Sequence, residues 1–213
     1  MCGIYGSTIL YSEDQVKQKL ERTNFRGPDK LQWLYVKDKV VLGHNRLSII
    51  DLDERSSQPF TYQEKIHVVF NGEIYNFRDL KEDLIKLGFS FRTTSDTEVI
   101  CAAYLAYGKD CVAKFNGMFA FVIFDETSQE LFGARDRLGQ KPFYYYLNGK
   151  EFEFASQLGP IQMFNKNLSI SSEAITNYLA WGNVPDPLSI FNEIKKLKAG
   201  YCFTYNLTDS SFS

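Results

Sequence analysis

Histidine is almost missing: two occur in 213 residues. So few imidazoles leave little room for His-based catalysis, and a nucleophile that carries its own base becomes the more attractive arrangement. No apolar run is long enough to span a bilayer. The N-terminus has neither the basic nor the apolar region of a secretory signal. The four cysteines, at positions 2, 101, 111 and 202, show no metal-ligand spacing. Together these absences predict a cytoplasmic chain with reduced thiols and no metal site. Charge of one sign is lacking too. The net charge is -2, which offers no basic surface to nucleic acid or to a membrane. No internal repeat or low-complexity linker interrupts residues 1–213, which read as one large domain with a real core.

Aromatic residues are plentiful, with 18 Phe and 13 Tyr, and they favour a β-rich core. Strands are predicted at 3–11, at 31–37 and 40–50 around Asp38-Lys39, and at 89–93. Asn71-Gly72 between 66–70 and 73–77 is the strongest short hairpin signal in the chain. Further hairpins are expected from 117–125 with 130–135 and from 143–147 with 151–155, followed by a last strand at 200–205. Helices are predicted at 13–23 behind Ser12 as N-cap, at 78–87 up to Gly88, and at 96–107. Ser95 caps the third of these, with Glu98 as capping-box partner. Two more fall at 157–164 and 172–181, while Pro185 and Pro187 mark a surface loop. Cys101 and Cys111 read as buried packing thiols. Antiparallel hairpins with inserted helices predict an α+β fold with helices on sheet faces. The pattern alone does not reveal two stacked sheets.

The chemistry starts at Cys2. Removal of Met1 would place a thiol and a free α-amine on one residue. The thiol can attack a carbonyl, and an amine titrating near pH 8 can take its proton. Arg46, Asn71-Gly72 and Asp96 each have a plainer reading: a surface charge, a turn, a helix cap. Taken with Cys2 they form a set. Asn71 offers a side-chain amide and Gly72 a backbone N–H to a tetrahedral oxyanion, each such donor being worth roughly 3–4 kcal/mol. Arg46 suits the carboxylate of a free amino acid through a bidentate pair. Asp96 with Glu73 suits its ammonium.

Several stretches now carry a family resemblance: MCGIYG at the start, RGPD at 26–29, HNRLSIID at 44–51, FNGEIYNF at 70–77 and SDTE at 95–98. With them go NGMFAFVIFD at 116–125, ARDRLGQKPFYYY at 134–146 and the closing AGYCFTY. Over essentially its whole length the chain resembles the glutaminase domain of asparagine synthetases. The resemblance implies a class II glutamine amidotransferase domain with an N-terminal-nucleophile hydrolase fold, a four-layer αββα sandwich of two antiparallel sheets. It implies Cys2 as nucleophile, its freed amine as base, and Asn71 and Gly72 as oxyanion hole. Arg46 would bind the glutamine carboxylate, Asp96 and Glu73 the α-amino side, with Leu47, Ser48, Ile49 and Ile50 lining the pocket. The RGPD loop would belong to the pocket rim.

The implied reaction turns L-glutamine and water into glutamate and ammonia through a thioester. The implied partner is a synthetase domain, in cis or in trans, with a homodimer compatible. No cofactor is expected here, since ATP and Mg would belong to the synthetase domain. Two departures stand out. Ala155-Ser156-Gln157 replaces the family's Ala-Ser-Glu. No Ser-Gly-Gly-x-Asp-Ser phosphate loop occurs, so that ATP-dependent domain is not in this sequence. The alternatives are a module feeding ammonia to a sugar or peptide acceptor, and a catalytically silent glutamine-binding module. A peptidase or acylase fits poorly, because the set suits both charged ends of a free amino acid.

Overall fold

Strand β1 (Gly3–Ser7) is buried along its whole length and lies inside a sheet rather than at its edge. The computed structural model describes residues 2–51 and 53–213. In chain order β1 is followed by helix α1 (Glu13–Glu21), β2 (Lys30–Val36), β3 (Val40–Arg46), β4 (Phe60–Tyr62) and β5 (Ile66–Ile74). Next come α2 (Phe77–Lys86), α3 (Asp96–Tyr107), the short α4 (Cys111–Lys114), β6 (Gly117–Asp125) and β7 (Glu130–Arg135). The chain continues with β8 (Tyr144–Asn148), β9 (Glu151–Ala155), α5 (Leu158–Gln162), α6 (Ser172–Trp181), β10 (Ile194–Lys196) and β11 (Cys202–Asn206).

The strands form two sheets, ordered β10-β8-β9-β1-β3-β2 and β11-β7-β6-β5-β4, with antiparallel pairing throughout. Alternation along each strand sends side chains to two faces. Inner faces meet in a layer containing Ile4, Leu42, Val69, Ala120, Val122, Phe152 and Phe203. Outside the second sheet, α2, α3 and α4 pack on Phe70, Phe119 and Phe121. Outside the first, α1 and α5 pack on Tyr5, Val41 and Ala155. The order is helices, sheet, sheet, helices, the αββα sandwich that the resemblance implied.

Local signals explain most of the elements. Ser12 and Gln15 form a capping box at α1, with Val16 and Leu20 turned into the core. Gly88, at φ 93°, ends α2, and Gly149, at φ 56°, makes the β8–β9 turn. Cys101 and Cys111 are buried, as expected for packing thiols.

Four expectations fail. Asn71-Gly72 is not a turn: β5 runs straight through it, paired with β6 from Ile66↔Asp125 to Ile74↔Gly117. Glycine at 72 serves close packing, since a Cβ there would lie 2.1 Å from the Met118 carbonyl oxygen. Residues 89–93 form no strand. Glu98 makes no capping box, because its carboxylate turns back to the N–H groups of Arg92 and Thr93 and to the Thr93 hydroxyl. The strands expected at 3–11 and 40–50 stop at Ser7 and Arg46, which frees 47–50 to line a cavity.

Candidate active site

One cavity is lined from both sheets. The alternation of three strands brings its key residues together. Gly3 pairs with Asn45, so Cys2, just ahead of β1, stands opposite Arg46 at the end of β3. Ile4 belongs to the inter-sheet layer, and Cys2 shares its face. From the other sheet, Val69 lies in that layer, and Asn71 and Glu73 follow on the same face of β5. Cys2, Arg46, Asn71, Gly72, Glu73 and Asp96 all line the cavity.

The Cys2 thiol is half-buried, and Leu47 N–H donates to its Sγ at 3.4 Å. Burial pushes the thiol pKa up, against the lowering pull of the Leu47 N–H and the Arg46 charge. It is therefore a thiol that needs a base. Behind it, Arg26 Nε donates to the Cys2 carbonyl at 3.1 Å. Asp29 Oδ2 accepts the Ser48 N–H at 2.8 Å, and Asp29 N–H donates to the Arg46 carbonyl at 3.0 Å. The RGPD loop thus laces Cys2, just ahead of β1, to the segment after β3 without lining the cavity. Gly27 is required there, because a Cβ would meet the Asn45 carbonyl oxygen at 2.2 Å.

Arg46 is buried, and among the described residues it has no ion-pair partner. Its Nη1 donates to Ser57 Oγ at 2.9 Å, and its Nη2 to the Asp51 carbonyl at 2.7 Å and to Ser56 Oγ at 2.9 Å. Neutral oxygens hold the guanidinium in place and leave its charge uncompensated. Asp96 opens α3 and is buried, with Oδ2 accepting the Ile74 N–H at 3.0 Å. Burial pushes its pKa up to about 6, and the Glu73 charge adds to the rise. A buried cation and a buried acid thus face one cavity without pairing, a layout that suits a zwitterion.

The edge of β5 supplies hydrogen-bond donors. β4 covers it only as far as Val68. Beyond, alternate N–H groups at Phe70, Gly72 and Ile74 point away from β6. The Phe70 N–H is taken by Gln58 Oε1 at 2.6 Å and the Ile74 N–H by Asp96 Oδ2 at 3.0 Å. The Gly72 N–H lies between these two, beside Asn71, whose Nδ2 is buried without a hydrogen-bond partner.

Leu47, Ile49 and Ile50 line the cavity, whereas Ser48, whose backbone N–H donates to Asp29 Oδ2, does not. Sequence reasoning missed His44, Gln58, Met118 and Lys141, which also line it. His44, Met118 and Lys141 fell inside the quoted motifs, but nothing in their spacing marked them out. Lys141 is buried with no ion-pair partner among the described residues. Burial lowers its pKa, the nearby Arg26 adds to this, and the charges of Asp136, Cys2 and Glu73 oppose it. Among the described residues no group of three or more His, Cys, Asp or Glu is placed to hold a metal, and no helix is long and apolar enough to cross a membrane.

Comparison with known proteins adds to this geometry. Residues 1–212 match the family model described as "Glutamine amidotransferase domain". Asparagine synthetase [glutamine-hydrolyzing] 1 of Bacillus subtilis is 36% identical over 96% of this chain and 33% of its own length. Asparagine synthetase [glutamine-hydrolyzing] 3 of the same organism is 35% identical over 97% of this chain and 35% of its own length. The chain thus spans about a third of each of these relatives. Among solved structures, glutamine phosphoribosylpyrophosphate amidotransferase from B. subtilis superposes over 100% of this chain and 49% of its own, with a TM-score of 0.68 and 18% identity. That likeness concerns the fold.

Proposed function

This chain belongs to the glutamine amidotransferase domain family, and on that premise we propose that it hydrolyses L-glutamine and supplies the ammonia for asparagine synthesis by a synthetase domain, in cis or in trans. The observation that carries the reading is the shared cavity. Cys2, the unpartnered Asn71 amide, the uncompensated Arg46 charge and the Asp96 carboxylate all face it. Removal of Met1 frees the Cys2 amine. That amine takes the thiol proton as Sγ attacks the side-chain amide carbon of glutamine. Asn71 Nδ2 and Gly72 N–H hold the oxyanion. Arg46 receives the α-carboxylate, and Asp96 with Glu73 receives the α-ammonium. Ammonia leaves with the proton carried by the amine. Water then opens the thioester through a second oxyanion in the same hole and releases glutamate.

No step assigned to this domain calls for a cofactor; ATP and Mg belong with the synthetase domain. A cytoplasmic location accords with a chemistry that needs a reduced thiol. The test joins intact mass with a glutaminase assay. Mature chain beginning at Cys2 turns over glutamine without ATP. Cys2→Ala lowers turnover by about 10⁴-fold or more while retaining glutamine binding by calorimetry. Comparable turnover by Cys2→Ala sinks the assignment.

A further inference from the structure

The stretch ARDRLGQKPFYYY at 134–146 carries part of the family resemblance, and no step of the hydrolysis yet uses it. Between β7 and β8 it forms a loop laced by two charged side chains. The Asp136 carboxylate accepts the N–H groups of Phe119 and Leu138, both at 3.2 Å, of Gln140 at 2.9 Å and of Lys141 at 3.0 Å. Arg135 Nε donates to the Lys141 carbonyl at 2.7 Å, and its Nη2 to the Gly139 carbonyl at 2.8 Å. The Lys141 backbone is thus held at both its N–H and its carbonyl. A side chain is aimed best from a backbone locked in this way.

That side chain lines the cavity. Lys141 is 4% exposed, and among the described residues its Nζ makes no hydrogen bond or ion pair. Nor is Nζ one of the sealed polar atoms, which among the described residues belong to His44 and Asn71. The amine therefore opens into the cavity. An ammonium that gives up most of its water without gaining a partner is costly, so its place calls for a reason.

The charges around Cys2 supply one. Arg46 acts on the thiol from β3, Asp96 from α3 and Arg26 from the RGPD loop. Lys141 in turn feels Arg26, Asp136, Cys2 and Glu73. His44 on β3 also lines the cavity, and burial keeps it neutral. The mature chain adds the Cys2 amine. Bound glutamine offsets Arg46 with its carboxylate, and Asp96 and Glu73 with its ammonium. Asp136 spends its charge on backbone N–H groups. Arg26 lies behind Cys2 and does not line the cavity. Among the described residues, Lys141 is then the cation left open to the reacting atoms.

We propose that Lys141 serves the reaction through its charge: its ammonium, opening into the cavity that holds Cys2, stabilises the thiolate and then the oxyanion that inherits the negative charge. The same charge lowers the pKa of the Cys2 amine and so keeps that base free at neutral pH. Proton transfer stays with the amine, and no bond to Lys141 forms or breaks. This rests on the glutaminase reading with Cys2 as nucleophile.

The test follows the pH dependence of Cys2 alkylation by iodoacetamide in the mature chain, with Cys202→Ser throughout because Cys202 is exposed. Peptide mass spectrometry reads the label on Cys2 alone, and melting curves confirm folding. Lys141→Met and Lys141→Gln, one apolar and one polar, both raise the alkylation midpoint by about 0.5–1 pH unit. Both lower kcat by about tenfold, with KM within about twofold. Lys141→Arg, which keeps the charge, holds the midpoint near wild type. Midpoints unmoved in the two neutral variants, an equal shift in Lys141→Arg, or an unchanged kcat overturns the proposal and leaves the glutaminase reading intact. A folded, mature wild-type chain that turns over no glutamine removes that reading itself.

Discussion

Asp96 shows how one buried carboxyl ties pH to affinity. Its pKa lies near 6, against an ordinary 3.8, chiefly because burial disfavours the charge. A raised carboxyl pKa means the folded state holds its proton more tightly than the unfolded one. Stability from this group is therefore greatest below pH 4 and is lost as pH climbs through about 6. In its proposed role, binding runs the other way, since only the carboxylate attracts an ammonium. Calorimetry on Cys2→Ala is expected to show the glutamine Kd rising about tenfold per pH unit below about 6. Asp96→Asn removes that slope and binds weakly at every pH. A Kd that stays flat from pH 7 to pH 5 in the unmodified site takes Asp96 out of the ammonium pocket. The neighbouring Ser95 was readable as a cap because its short side chain bonds locally, to the Thr97 N–H at 3.2 Å. Glu98 was misread because its stronger partners, at Arg92 and Thr93, precede the helix.

Among the elements, β5 departs furthest from what its sequence suggests. Asn-Gly favours a two-residue turn only where nothing else claims the strand. Here β6 claims all of it, and the glycine admits the Met118 carbonyl. Gly72→Ala is expected to destabilise by about 1–3 kcal/mol and to abolish glutamine turnover. Gly88 is a matched control: its φ is 93°, and a Cβ would meet nothing within 4 Å. Gly88→Ala destabilises by about 1–2 kcal/mol and leaves kcat unchanged. Denaturant melts and steady-state assays on both variants check the contrast, and equal activities would return Gly72 to a purely structural role. The hairpins β6–β7 and β8–β9 were legible because strand and turn lie adjacent in sequence. The short β4 and β10 were not, since three residues carry too little pattern.

For the molecule as a whole, the packed layers depend on contacts that no local pattern announces. Lys19, a charged residue on α1, is fully buried. Its Nζ meets Glu153 Oε1 at 2.8 Å and the carbonyls of Pro160 and Met163, both at 2.8 Å. Tyr5 donates to the same carboxylate at 2.8 Å. One ammonium thus joins α1, β9 and the α5 region across more than a hundred residues of chain. Lys19→Met is expected to destabilise by roughly 3–5 kcal/mol, because it leaves a buried carboxylate without its cation. Adding Glu153→Gln recovers much of that loss, and chemical denaturation of both variants measures it. A loss below about 1 kcal/mol would mean the pair adds nothing. The chemical set was legible because Cys2, Arg46, Asn71 and Asp96 are residue types with few other uses in such company. The stacking that unites them was not, because it joins strands far apart in the chain. That stacking has a thermodynamic corollary. The cleft is a seam between two leaves, and any occupant grips both at once, acting as a rivet. The leaves cannot separate without releasing it. On the proposed function, resistance to unfolding is expected to grow with the logarithm of free glutamine once its concentration exceeds Kd, so starvation for that ligand would also make the protein frailer.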